Sequence, residues 1–278
     1  MTRSRFPVAR VSALVAVLVG AFLVSQRTGG PHWRSLAPGV EFATVRGEPY
    51  CRSGSTTIAV LRLDPAQARL RVRHYSREAG ERPLDIVEWQ RRSGALAVFN
   101  AGQYYRDLSY MGLLAGGGRL FSQRGHPTYR AALVAGPRGG GRGTRVLDLS
   151  QERLVPDSLA WREVAQSFML FDRAGTVRVR RSDQVANRTA VAEDRQGRIV
   201  VLTSEGGYTL SDFARLLQGL PLDLALAMAM DGGREAELVV SAGSFRYASF
   251  GRWEQGAGAR EAPVPPVPLP AVVTVHSP

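Results

Sequence analysis

Between residues 187 and 233 the chain carries two apolar, strand-like runs, each stopped by glycine. Residues 198–203, Arg-Ile-Val-Val-Leu-Thr, break off at Glu205-Gly206-Gly207, and residues 222–230, interrupted only by Asp223, end on Asp231-Gly232-Gly233. Between the runs, Thr209 followed three residues on by Asp212 is a variant capping box, and Leu210, Phe213, Ala214, Leu216 and Leu217 recur at helical spacing. The stretch therefore reads as strand, turn, strand, helix, strand and a sharp corner. A carboxylate at the end of a buried strand, followed by two glycines that admit close backbone approach, is a place where chemistry is put. Asp231 is the first candidate for a catalytic carboxylate and Glu205 the second. The competing reading of Asp231 is a turn cap, which Asp-Gly pairs often are.

The rest of the chain has the same character. Residues 56–63 and 70–74 alternate as a hairpin, residues 95–99 are apolar throughout and deliver Asn100 to a strand end, and further strands are expected at 110–115, 131–135, 145–149, 167–171, 176–179, 237–241 and 271–275. Helices are expected only at 83–91, 159–165 and 209–218. The fold class is thus α+β: a strand-rich single domain with a mixed sheet and few helices. Residues 28–50, punctuated by Gly29, Gly30, Pro31, Pro38 and Gly39, read as a linker into a domain over 51–278, and 271–275 as a closing strand. The arginine-glycine segment 136–143 lacks interleaved aromatics and sits between two strands, which favours a hairpin loop over a nucleic-acid contact.

Residues 1–27 place Arg3, Arg5 and Arg10 before a charge-free run at 11–24, the pattern of a secretory signal or an uncleaved anchor. Export is the expectation, with membrane anchoring through residues 11–24 as an alternative, and it sits poorly with a nucleic-acid partner. Those 27 residues hold four of the 36 basic residues and none of the 24 acidic ones, so without them the formal net charge falls only from +12 to +8. The excess favours anionic partners. Cys51 is the only cysteine, so no intrachain disulfide forms. There is no His-x-x-x-His pair and no Gly-x-Ser-x-Gly elbow, which argues against a transition-metal site and a serine hydrolase. No cofactor is expected, and an oxygen-ligated cation such as calcium is the one metal left open.

Asn100-Ala101-Gly102 with an aromatic just beyond it, Gln166-Ser167, Arg188-Thr189-Ala190, the Thr209-Leu210 helix start and Asp231-Gly232-Gly233 together resemble the phosphodiester glycosidase family. Its members include an enzyme that removes N-acetylglucosamine from a sugar phosphodiester, and many exported bacterial proteins. The resemblance spans roughly residues 95–240. It implies a hydrolase acting on a phosphorylated glycan or sugar phosphodiester, with Asp231 and Glu205 catalytic. Arg188 would grip phosphate through its planar fork. Asn100, Gly102, Asp107, Ser167, Thr189, Gly232 and Gly233 would bind substrate, with Tyr104 and Tyr105 a stacking wall beside Asp107. The chain departs from the family at its corner, where Ala229-Met230 precedes Asp231 and Arg234-Glu235 follows the glycines in place of serines. A non-catalytic envelope module that binds anionic glycans is therefore the alternative.

Overall fold

Side-chain alternation governs most of this chain. The computed structural model describes residues 30–78, 80–140, 143–252 and 265–277. The chain divides into two units at Pro31/His32, and the fold below is that of the second, His32–Pro278. The expected leader at 1–27 lies outside the described residues. Among the described residues no helix is long and apolar enough to cross a membrane.

In chain order the strands are β1 (Arg34–Ala37), β2 (Val40–Arg46), β3 (Ser53–Leu63), β4 (Arg69–His74), β5 (Ala97–Asn100), β6 (Leu114–Gly116), β7 (Arg119–Ser122), β8 (Ala131–Pro137) and β9 (Thr144–Asp148). They continue as β10 (Trp161–Ser167), β11 (Met169–Phe171), β12 (Arg188–Asp194), β13 (Ile199–Gly207), β14 (Leu224–Gly232), β15 (Leu238–Ala242), β16 (Phe245–Ser249) and β17 (Ala271–His276). Among the described residues two α-helices join them, α1 (Ile86–Ser93) before β5 and α2 (Leu210–Gly219) before β14. The fold is α+β and strand-rich, as expected.

The strands form three sheets, ordered β1-β2-β3-β13-β12-β14-β11, β7-β6-β10-β8-β9 and β16-β15-β5-β17-β4. Every pairing is antiparallel, so the sheets are not mixed. One core draws on all three: Phe42, Leu61 and Val201 from the first, Leu114 and Leu133 from the second, Phe99 and Val273 from the third. The opposite face of the first sheet is covered by α2 through Phe213, Leu216 and Leu217, and that of the third by α1 through Ile86 and Trp89. Central strands buried on both faces are why β5, β13 and β14 read as continuous apolar runs.

The second helix starts where its capping box predicts, and the first, expected from residue 83, starts at Ile86 after an Asp85 cap. The Asp85 carboxylate accepts from the Glu88 N–H at 2.8 Å, and the Thr209 hydroxyl accepts from the Asp212 N–H at 3.1 Å. The Asp212 carboxylate, however, is engaged by Arg52 at 2.7 Å. The closing segment 271–275 does join the sheet, but between β5 and β4.

Four local expectations are corrected. Residues 34–46, read as linker, form the β1–β2 hairpin, because Val40, Phe42 and Ala43 are buried and Gly39 makes the tight turn. Residues 161–165, within the segment 159–165 read as helix, belong to β10, which lies between β6 and β8. There Ala165 faces the shared core and Val164 the opposite side of the sheet, an alternation that a helix would scramble. Residues 110–115 become strand only at Leu114, after Gly112 at φ +125°. Residues 176–179 make one bridge, Val177 to Phe171, inside a loop over 172–187. Segment 136–143 joins β8 to β9, with Gly141 and Arg142 outside the described residues.

Two buried titratable groups set the pH response of stability. Burial pushes His74 down to about 4, and it pushes Glu237 up to about 8 against a hydrogen bond from the Val267 N–H. The His74 contribution is present above about 6.5 and is lost as pH falls towards 4; the Glu237 contribution is complete below about 4.5 and is lost as pH rises towards 8. Between about 4.5 and 6.5 the two slopes, each about 1.4 kcal/mol per pH unit, cancel. The melting temperature is therefore expected to fall by several degrees between about 6.5 and 8, where Glu237 ionises without His74 to offset it. Glu237→Gln should remove the fall; an unchanged profile in calorimetry would refute the assignment.

Candidate active site

The carboxyl end of β14 and the start of β12 meet at a cleft of about 780 Å³. On β12, Ala190 and Ala192 face α2 and Arg188 follows on that face. On β14 the register shifts between the Ala229–Ala190 and Gly232–Arg188 pairs, and Asp231 stands at this irregularity beside Gly232. Asp231 and Arg188 thus line one cleft.

Arg188 is built in. Its Nε donates to the Tyr208 carbonyl at 3.0 Å and Nη2 to the Gln184 carbonyl at 2.8 Å. A Cβ on Gly232 would stand 3.1 Å from Nη1 and 3.0 Å from the Asn187 carbonyl, so the glycine makes room for the guanidinium. Desolvation lowers the Arg188 pKa to about 10, against the pull of Asp231, and leaves it cationic at neutral pH. Asp231 Oδ1 accepts from the Gly232 N–H at 2.9 Å, and Gly233, at φ +73°, turns the chain out of the strand.

Tyr104 and Phe168 give the cleft an aromatic wall. The Tyr129 ring backs Phe168 at 4.2 Å between centroids, and its hydroxyl donates to Gln103. Burial raises the Tyr129 pKa to about 12, with Asp231 adding to the shift, so it remains a phenol. Tyr104 is likewise held far above its ordinary value, by burial first and then by Tyr110 and Asp231. The loop 172–187 closes another side with Arg178, Arg180, Ser182 and Gln184; the Arg178 guanidinium is paired with Asp172, whereas Arg180 is exposed. Glu235 is a second carboxylate on the cleft lining.

The remaining sequence candidates lie elsewhere. Asn100 is buried behind the cleft, where its amide donates to the Asp231 carbonyl at 3.0 Å and accepts from the Glu237 N–H at 3.2 Å; it fixes the backbone that carries the carboxylate. Gly102 is glycine because a Cβ would stand 2.4 Å from the Tyr110 hydroxyl. Glu205 points away from the cleft, accepting from Tyr247 at 2.7 Å and Ser55 at 3.0 Å. Thr189 is buried against Thr203, one residue out of phase with Arg188. Asp107 accepts from the Ser109 hydroxyl at 2.6 Å beside a different surface pocket. Ser167 is buried and, among the described residues, its hydroxyl has no hydrogen-bond partner, while its neighbour Gln166 holds the wall: Oε1 accepts from the Leu113 and His126 N–H groups, and Nε2 donates to the His126 and Tyr129 carbonyls. Among the described residues no group of three His, Cys, Asp or Glu side chains gathers to hold a metal.

Phe168, Gln103, the 172–187 loop and Glu235 were not singled out in the sequence. The loop has no periodicity to betray it, but Glu235 directly follows the corner. Glu205→Gln is expected to leave kcat within about threefold of the parent while lowering stability modestly, since it loses one partnered carboxylate remote from the cleft; a hundredfold loss of turnover would return Glu205 to the site.

An aromatic wall, a carboxylate and a desolvated guanidinium in one cleft are the parts that a carbohydrate-processing site uses for an anionic sugar derivative. The chain belongs to the phosphodiester glycosidase family, whose profile matches residues 93–267. Among solved structures it is similar to the catalytic domain of zebrafish N-acetylglucosamine-1-phosphodiester alpha-N-acetylglucosaminidase, auto-inhibited by its pro-peptide, at 17% identity and TM-score 0.60, covering 91% of this chain and 90% of that one. A hypothetical protein from Synechocystis aligns at 13% identity and TM-score 0.59 over 90% of this chain and 64% of that one. A putative exported protein from Burkholderia pseudomallei aligns at 12% and 0.52 over 84% and 76%. At these identities the structures speak for the fold alone. A search of curated protein sequences finds no match.

Proposed function

We propose that this chain is an exported hydrolase that cleaves the bond between a sugar anomeric carbon and a phosphodiester in an envelope glycan or glycoconjugate. The observation that carries the reading is the convergence of Asp231 and Arg188 on one aromatic-walled cleft. Arg188, anchored through Nε and Nη2, presents Nη1 beside Gly232 as a donor for phosphate oxygen. Attack by water forms the new bond to the anomeric carbon as the bond to the phosphate oxygen breaks. The electron pair leaves with the phosphate monoester, and Asp231 takes the proton of the water. A phosphate monoester, whose second ionisation lies near pH 6, leaves without the protonation that an alkoxide needs, so one carboxylate suffices where most glycosidases use two.

The test is release of free sugar from a sugar-1-phosphodiester and from the same sugar carrying a neutral alkyl group. Cleavage of the first alone supports the proposal; cleavage of neither favours the second reading, a non-catalytic module for anionic glycans. That reading draws on Glu205, the second carboxylate of the expected pair, lying outside the cleft. Export rests on Arg3, Arg5 and Arg10 before the apolar run at 11–24. Residues 1–30 fused to alkaline phosphatase are expected to give active enzyme outside the cytoplasm, and an inactive fusion would refute it.

A further inference from the structure

A second concave surface lies apart from the Asp231 cleft. It is a groove of about 710 Å³ along β4 and the turn between β6 and β7, and six arginines line it: Arg69, Arg71, Arg73, Arg77, Arg119 and Arg162. The strand explains the row. β4 is the edge of its sheet, and its alternate residues Leu70 and Val72 enter the core while Arg69 and Arg71 stay exposed. The free edge is closed by Glu163, whose buried carboxylate accepts from the Val72 N–H at 2.9 Å and the Gly117 N–H at 3.1 Å.

Little acid offsets this charge. Arg73 pairs with Glu78 at 3.2 Å, and Glu163, on the groove lining, is within electrostatic reach of Arg71 and Arg162. Arg69, Arg71, Arg77, Arg119 and Arg162 are exposed, and among the described residues none forms a hydrogen bond or ion pair through its guanidinium. Five cations without an ion-pair partner around one concavity repel one another and, with only Glu163 near two of them, focus a positive field that an anion would relieve. Arg69 and Arg71 are spaced along β4, and Arg77, Arg119 and Arg162 come from three other segments, which suits a chain of phosphates better than a single one.

The register gives the row a direction. β4 and β5 both pair antiparallel with β17 and so run parallel to each other; Arg73 stands opposite Val272, and Val272 opposite Asn100. Arg69, Arg71 and Arg73, about 6.5 Å apart along the strand, therefore run in the same direction as β5, which ends at Asn100.

We propose that this groove is a second anion-binding site, which holds neighbouring phosphodiester units of a linear, polymeric substrate while one unit is processed at Asp231. The choice of a glycan polymer rests on the proposed activity; the affinity for a linear polyphosphate chain does not. The test compares the parent with the triple variant Arg69→Ser, Arg71→Ser, Arg119→Ser, all at exposed positions without side-chain partners. End-labelled linear inorganic polyphosphate is the probe, followed by fluorescence anisotropy across a salt series. The variant is expected to bind at least tenfold more weakly, with the slope of log affinity against log salt reduced by about 2, at roughly 0.7 for each phosphate that the protein no longer neutralises. Its turnover of a monomeric sugar-1-phosphodiester should equal that of the parent.

Equal polyphosphate binding by parent and variant would overturn the proposal. So would a variant that keeps polyphosphate binding but loses association with anionic phospholipid vesicles, since the groove would then be a membrane contact. Loss of monomer turnover in the variant would merge the groove with the catalytic cleft and overturn it as a second site. A parent that binds polyphosphate through these arginines but never cleaves the monomer supports the groove and removes the proposed activity instead.

Discussion

Asp231→Asn is expected to lower kcat and kcat/KM together by a factor on the order of 10² or more, within the usual range for losing a general base. Asparagine keeps the size of the side chain and can still accept from the Gly232 N–H through its amide oxygen, so the corner should hold. What it loses is the capacity to take a proton from water and to stabilise positive charge developing at the sugar. The melting temperature should change little. Intact turnover with a melting temperature several degrees lower would make Asp231 a turn cap and remove the catalytic account.

Arg188→Ala carries the second large effect. Its guanidinium is the cleft's built-in cation, fixed by two backbone carbonyls, and a hydrogen bond from a charged donor contributes about 1.5–3 kcal/mol. KM for a sugar-1-phosphodiester should rise about tenfold to a hundredfold, with a smaller change in kcat. Arg188→Lys should not restore it, because a single ammonium cannot reach the Tyr208 and Gln184 carbonyls and also present a donor beside Gly232. Rescue by lysine, or a KM unchanged by alanine, would show that Arg188 only neutralises Asp231. Steady-state kinetics on the same monomeric substrate decides between these outcomes.

The distribution of the candidates shows what a sequence can and cannot carry. Asp231 was legible because an apolar run ending in Asp-Gly-Gly leaves few alternatives, and the helix start at Thr209 because capping is local. Glu205 was misplaced for a reason built into central strands. When both faces of a strand are buried, residues of both phases are apolar, and nothing local says which phase meets the cleft. Val200 and Leu202 pack under α2 and Val201 in the shared core, so Glu205, in phase with Val201, emerges beside Tyr247 and outside the cleft that Asp231 lines. The same lack of partner information hid β10: Glu163 looks like a helix-surface residue until Val72 and Gly117 from distant segments supply its hydrogen bonds. Asn100, Gly102 and Gln166 were found through their motif, and the structure places them in the frame behind the cleft.

The central claim is that the bond broken lies on the sugar side of the bridging oxygen. Turnover of a sugar-1-phosphodiester in ¹⁸O-labelled water, with both products read by mass spectrometry, tests it most directly. Label in the anomeric hydroxyl of the released sugar and none in the phosphate monoester is the predicted result. Label in the phosphate would mean cleavage of the phosphorus–oxygen bond and contradict the account.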